Sequence, residues 1–259
     1  METIFGKCVN PAFIALRRRI FKRAGEATRK FKLIEEGDRI LIGFSGGKDS
    51  FVLVDYLHHL RLSRPGKFQI EAAMVDMNFP EEEVNFIRGI LEKNSIPFHL
   101  IPSKIPSIVT GKMENHKNAC VLCSRLRRGL LYSFAREHRF NKLALGHNAD
   151  DVIETLLLNL FYNGKIKAMS PRFLNDDGDL IVIRPLYYVM EEDTRAYARE
   201  LNWNVINNPC PLQKFRGEKR EIIKKILKEL EEDFPAVKKN IIRSLEKIEK
   251  RFLPPPPDS

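Results

Sequence analysis

The chain has 259 residues, 43% of them hydrophobic, with charge spread along its length, enough for one good-sized core plus an appendage and not the profile of a disordered chain. A net charge of +10 and a pI near 9.4 suit a polyanionic partner, because lysines and arginines that neutralise phosphates release counterions. No apolar run approaches the ~20 residues of a membrane span and the first residues lack the order of a signal peptide, so a cytoplasmic protein without membrane attachment is expected.

From Pro11 to Phe31, Phe13, Ile14, Leu16, Ile20 and Phe21 recur at helical spacing among basic residues, predicting a basic amphipathic helix. Arg17, Arg18 and Arg19 on it are candidate contacts for RNA phosphates. An alternation follows: strand Arg39 to Phe44, helix Ser50 to Leu62, strand Ile70 to Asp76, helix Glu81 to Asn94, strand Phe98 to Ile101. A loop containing Pro102, Pro106 and Gly111 leads to a helix from about Val121 to His138. Strand Lys142 to Leu145, helix Asp150 to Phe161 and strand Leu180 to Ile183 complete the series, with Asp177-Gly178 marking a turn before the last strand. Helix Glu191 to Leu201 and an extended Trp203 to Ile206 come next. Beyond Pro209-Cys210-Pro211 the apolar spacing of Ile222, Ile223, Ile226, Leu227 and Leu230 predicts a helical extension, and Pro254 to Pro257 a polyproline tail.

Strands apolar on both faces and alternating with helices imply a doubly wound, Rossmann-like α/β fold with a mostly parallel five-stranded sheet. The organisation expected is a basic helical segment over 1–34, the α/β domain over 35–208, and a helical extension with the proline-rich tail over 209–259.

The string Ser45-Gly46-Gly47-Lys48-Asp49-Ser50 joins the first strand to the following helix. Two glycines let the backbone approach an anion, the helix aims its open N–H groups at the same place, and Lys48 with the hydroxyls of Ser45 and Ser50 adds charge and donors. The spacing is not that of a Walker A loop. Gly146-His147-Asn148-Ala149-Asp150-Asp151 occupies a second strand-to-helix turn, expected to face the first across one crevice. Its paired carboxylates suit Mg²⁺ and also suit plain helix capping. Asp76, ending the second strand, is placed to meet a nucleoside or simply to form a turn.

The chain has four cysteines. Cys120-Val121-Leu122-Cys123 is expected to open a helix, whose dipole would favour thiolate. Such a pair fits half a zinc site, a redox pair or part of an iron-sulfur site. A four-cysteine zinc site would need Cys8 near the N-terminus, whereas Cys210, between prolines, is a stiffer third ligand. Three thiolates on a 4Fe–4S cluster leave one iron open to sulfide or persulfide. Arg125, Arg127 and Arg128 follow the pair, and Lys165 and Lys167 follow the later helix; both groups are candidates for an RNA-facing rim.

SGGKDS after the first strand resembles the PP-loop of the adenylating ATP pyrophosphatases, a superfamily of HUP-type fold. In that family the loop holds the pyrophosphate of ATP during attack on the α-phosphorus. With IEEGDRI (Ile34 to Ile40), the run from Cys120 to Tyr132, LGHNADDVIETLLLNLFYNGKIKAM (Leu145 to Met169) and DDGDLIVIRPL (Asp176 to Leu186), the chain resembles the tRNA 2-thiocytidine synthetase family. That resemblance implies a transferase that uses ATP, Mg²⁺ and a 4Fe–4S cluster on Cys120, Cys123 and Cys210 to thiolate a cytidine at position 32 of a tRNA anticodon loop. It implies a phosphate and nucleoside site of Ser45, Gly46, Gly47, Lys48, Asp49, Ser50, Asp76, Gly146, His147 and Asp150, with Asp49 and Asp151 toward Mg²⁺. It also implies a cysteine desulfurase or other sulfur donor and a homodimer. Two departures stand out: the segment Pro209-Cys210-Pro211-Leu212-Gln213 lacks the family's second cysteine, and its GHxxDD-type turn carries Asn148. The competing readings are a tRNA 2-thiouridine synthetase, an ATP-independent thiouracil desulfidase, and a zinc-containing tRNA-binding protein without activity.

Overall fold

A computed structural model describes residues 2–4, 6–7, 10–111, 116–201 and 218–252. A short antiparallel hairpin, β1 (Glu2–Thr3) and β2 (Gly6–Lys7), precedes helix α1 (Pro11–Lys30). Asn10 caps α1 by accepting from the Ala12 amide at 2.9 Å, and Pro11 occupies a first-turn position where its missing N–H costs nothing. The α/β core then runs β3 (Arg39–Gly43), α2 (Lys48–Ser63), β4 (Gln69–Val75), α3 (Glu81–Lys93), β5 (Phe98–Ile101), α4 (Ile105–Gly111), α5 (His116–Glu137), β6 (Lys142–Leu145), α6 (Ala149–Asn163), β7 (Arg172–Leu174), β8 (Ile181–Ile183) and α7 (Glu191–Glu200). Helices α8 (Glu218–Asp233) and α9 (Val237–Ser244) and a 3-10 turn at Lys250–Phe252 follow.

The sheet has six strands in the order β5-β4-β3-β6-β8-β7, not the five expected. The added strand is β7, antiparallel to β8 with Phe173 opposite Val182. Three residues of alternating exposure give almost no periodicity to detect, so β7 is set by its hairpin. Asn175 Oδ1 accepts from the amides of Asp179 and Leu180, each at 3.0 Å, and Gly178 turns the chain at φ +76°. A second correction concerns the stretch after β5. It holds a helical turn, α4, because Pro106 falls in a first turn and Ser103 Oγ caps the Ile105 amide at 3.0 Å.

From β3 the chain winds outward through β4 to β5, then returns to the other side of β3 for β6. The topological switch therefore lies between β3 and β6, which pair in parallel from Ile40↔Lys142 to Gly43↔Leu145. In an open parallel sheet this is where a crevice forms beyond the strand ends. Both strands are buried: Ile40, Leu41 and Ile42 are fully covered, as are Leu143 and Ala144. At Gly43 a Cβ would lie 2.8 Å from Leu145 Cδ2 and 3.3 Å from Leu131 Cδ1, so a larger residue there would make those leucines shift.

By compactness the chain forms two units. One unit comprises 1–149 with 170–217, and a second comprises 150–169 with 218–259. The basic helix α1 belongs to the first unit and packs on α7, as α2 also does. In the second unit, the body of α6 joins α8 and α9. There Glu154, whose side chain is 5% exposed, meets Arg220 at 3.2 Å and Lys224 at 3.8 Å. Burial outweighs these cations, and with the nearby charges of Asp151 and Asp150 it raises the Glu154 carboxyl to a pKa of about 7. Between the ordinary carboxyl value of 4.5 and about 7 the folded unit holds a proton that the unfolded chain does not. The stability of this unit is therefore expected to fall as pH rises through that window and to level off above it, by on the order of 3 kcal/mol. Glu154→Gln should flatten the slope in denaturant melts followed between pH 5 and pH 8.

Candidate active site at the sheet switch point

The chain leaves β3 through Phe44, whose amide donates to the Ala73 carbonyl at 2.8 Å, and enters α2 at Lys48. Gly46 turns at φ +74°, a conformation that disfavours any side chain, and Gly47 stands at the N-cap position with no side-chain cap on the helix. The first amides of α2 thus lie at the loop, the arrangement that receives an anion. Ser50 Oγ donates to the Gly47 carbonyl at 2.7 Å and Ser45 Oγ lies 3.4 Å from Ser50 Oγ, which fixes the loop across its mouth.

The turn after β6 closes on this loop. A Cβ on Gly146 would sit 3.1 Å from the Asp49 carbonyl carbon and 3.2 Å from the Ser50 amide nitrogen, so the approach is backbone to backbone and requires glycine. Asn148 Nδ2 donates to Asp49 Oδ1 at 3.1 Å. The departure at this position is thus a ligand of the loop's own carboxylate. His147 Nδ1 accepts from Arg184 Nε at 3.3 Å, with Arg184 itself buried and lying over the Phe173 ring at 5.1 Å. Asp49 and Lys48 also meet the N-terminus of α7. Thr194 Oγ1 donates to Asp49 Oδ1 at 2.6 Å, and Lys48 Nζ donates to Asp49 Oδ2 and to Glu191 Oε1, both at 2.9 Å. Burial pulls the Lys48 pKa down, but Asp49 and Glu191 outweigh it and leave the ammonium raised and firmly charged.

Sequence reasoning missed Glu191 and Thr194. They lie over a hundred residues from the loop, and Glu191, Glu192 and Asp193 look like any acidic first turn. The structure brings Ser45 to Ser50 together with Gly146, His147 and Asn148 in the first unit. Asp76, half-buried at the end of β4, accepts from the Asn78 amide at 2.8 Å and forms the turn there. Asp150 and Asp151 open α6 in the second unit, where Asp150 pairs with Lys238 at 2.9 Å.

Three candidate residues take other places. Arg17 is a correction: its side chain is 3% exposed and it forms a two-pronged pair with Asp55 at 2.6 and 2.9 Å, so it is buried inside the first unit and does not face RNA. Arg19 is exposed but tied to Asp193 at 2.6 Å, while Arg18 is exposed. On α5, Arg125 and Arg128 are exposed, but the Arg127 Nε is buried with no hydrogen-bond partner among the described residues. Lys165 and Lys167 are exposed in the turn after α6.

The cysteine pair lies inside α5, beyond its first turn, and does not open the helix as expected. The helix-dipole argument for thiolate therefore does not reach Cys123. Cys123 is 4% exposed and belongs to one apolar core cluster with Ile105, Val109 and Leu131. Cys123 offers a soft sulfur donor in a dry setting, which fits a ligand to an iron-sulfur cluster. Cys210 and Cys8, like Trp203 to Ile206 and the polyproline tail, lie outside the described residues. Among the described residues no helix is long and apolar enough to cross a membrane.

The PP-loop domain family matches residues 18–229. The tRNA-cytidine(32) 2-sulfurtransferase of Geobacter metallireducens is 41% identical over 236 residues, 91% of this chain and 92% of the relative. That of a Janthinobacterium species is 43% identical over 90% of this chain and 73% of the relative. Among solved structures, the U34-tRNA thiolase NcsA from Methanococcus maripaludis with its [4Fe-4S] cluster superposes with a TM-score of 0.70 at 23% identity, over 89% of this chain and 79% of that one, a likeness of fold. The loop at the sheet switch, the turn locked against it and these similarities agree: the chain belongs to the PP-loop family and, within it, to the family of the tRNA-cytidine(32) 2-sulfurtransferases.

Proposed function

We propose that this protein is an ATP-dependent tRNA sulfurtransferase that replaces the C2 oxygen of a cytidine at position 32 of the anticodon loop with sulfur. The observation that carries the reading is the phosphate loop from Ser45 to Ser50, built at the β3/β6 switch and closed by Gly146 and Asn148, in a chain 41% identical to a sulfurtransferase over 91% of its length.

The first step is adenylation. The target base is splayed from its stack so that its C2 oxygen can reach the α-phosphorus of ATP. That oxygen forms the new P–O bond and pyrophosphate leaves. The open amides at the start of α2 and the Lys48 ammonium hold the pyrophosphate and offset the charge that grows on it. Asp49, fixed by Asn148 and Thr194, has the carboxylate chemistry to hold Mg²⁺, and Asp151 is the second candidate. A sulfur nucleophile then attacks C2, AMP leaves with the original oxygen, and loss of a proton gives 2-thiocytidine. A 4Fe–4S cluster on Cys120, Cys123 and Cys210 supplies, when bound, an iron that binds sulfur for transfer. A cysteine desulfurase or another donor provides the sulfur, and the enzyme works in the cytoplasm as a homodimer. Arg18, Arg125, Arg128, Lys165 and Lys167 contact the tRNA backbone.

Incubation of anaerobically purified protein with unmodified tRNA, ATP, Mg²⁺ and sulfide, followed by nucleoside mass spectrometry, tests this reading. ATP-dependent 2-thiocytidine is expected, and Lys48→Met should lower kcat/KM for ATP by about 10²-fold. Formation of 2-thiouridine would change the base, and zinc-loaded protein without thiolated product would overturn the reading.

A further inference from the structure

Lys48 divides its ammonium between two carboxylates that are held in different ways. Asp49 is built into the loop, with Asn148 and Thr194 donating to its other oxygen at 3.1 and 2.6 Å. Glu191 enters from the first residue of α7, and its second cationic neighbour is the exposed Arg195 at 3.2 Å. Its acidic neighbours on that turn do other work: Glu192 is exposed and Asp193 binds Arg19 and Arg23. Of the three, only Glu191 addresses the loop.

A lysine has three donors, and Asp49 and Glu191 take two of them. A triphosphate in the loop needs those donors for its own oxygens. The Lys48 and Glu191 side chains are 20% and 25% exposed, so solvent screens their interaction only in part.

We propose that Glu191 is a positioning residue of the phosphate site, holding Lys48 in a pair that competes with the triphosphate for the same ammonium. Nucleotide binding is then an exchange of partners: the Lys48 N–H leaves the Glu191 carboxylate for phosphate oxygen, and Glu191 retains Arg195. The effect belongs to the β- and γ-phosphates, which the phosphate-loop reading puts at Lys48. The proposal rests on Lys48 being a phosphate ligand.

Calorimetric titration of the full-length protein with ATP and with AMP, in EDTA and without tRNA, provides the test. Glu191→Gln keeps the size and one acceptor but removes the charge. It is expected to tighten ATP binding by about threefold to tenfold and leave AMP binding unchanged. In a Lys48→Met background the same substitution should change nothing, since its effect passes through the lysine. Glu191→Asp, which keeps the charge on a shorter arm, should lie closer to the parent protein than Glu191→Gln and controls for damage to α7. An unchanged or weaker ATP affinity in Glu191→Gln overturns the proposal. So does an equal shift for AMP, or an effect that survives in Lys48→Met. If Lys48→Met itself leaves ATP binding intact, the fault lies with the phosphate-loop reading instead.

Discussion

Replacing Cys123 with alanine is expected to abolish thiolation and remove the iron and its visible absorbance, while ATP binding stays within about twofold of the parent protein. Burial alone gives Cys123 another explanation, because cysteine packs well as a small hydrophobe and it lies in an apolar core cluster. The two roles differ in what alanine costs. If Cys123 only fills space, losing one sulfur costs on the order of 1 kcal/mol and leaves the iron content and product yield as they were. If it is a ligand, iron and product disappear together and the fold survives. ATP binding is spared in either case, since the loop from Ser45 to Ser50 is built from β3, α2, the β6 turn and α7. Iron and sulfide analysis of anaerobically purified Cys123→Ala, with ATP titration alongside, separates the two. Retained iron would remove Cys123 from the ligand set.

The parts of this candidate site that could be read from the sequence share a property: each sits within a short string that sets its own local geometry. SGGKDS specifies its own turn, and strand-like residues before it with helix-forming residues after it fix where it lies. The β3 and β6 turns could be placed side by side because doubly wound sheets have only one switch point, and the observed order β4-β3-β6 has it there. What could not be read was decided by packing over long separations. Glu191 and Thr194 reach the loop because α7 lies on α2. Arg17 has the same spacing as any exposed basic residue of an amphipathic helix, and only the position of Asp55 on α2 draws it inward. β7 is held by a turn and not by its own pattern, and α4 depends on one serine cap ahead of a proline. The position of the cysteine pair along α5 was misplaced for a similar reason, because residues upstream of Cys120 give a weak helical signal and still extend the helix.

Asp55→Ala is expected to destabilise the first unit by about 3–5 kcal/mol, the cost of stranding a buried guanidinium without its counter-ion. Asp55 is fully buried. It accepts from Arg17 Nε at 2.6 Å and Nη2 at 2.9 Å, from the Tyr197 hydroxyl at 2.7 Å, and from the Ile4 amide at 3.3 Å. Burial raises the Tyr197 pKa well above its ordinary value, and Asp55 adds to the rise, so the phenol keeps its proton and acts as a donor. One carboxylate therefore ties α1, α2 and α7 together. Loss of that carboxylate leaves three sets of donors unanswered in a dry site, and urea melts of Asp55→Ala should show the full penalty. The double replacement Arg17→Met with Asp55→Leu should recover most of it, since an apolar pair of similar volume avoids the desolvation of two ions. If Asp55→Ala cost less than about 1 kcal/mol, the cluster would be wet and its pairing weak. The functional reach of this network follows from α7. Tyr197 and Thr194 are on the same face of that helix, one turn apart, and Thr194 holds Asp49. Asp55→Ala protein that remains folded should accordingly bind ATP more weakly than the parent, and the double replacement, which restores stability without the Tyr197 bond, should not regain that affinity in full.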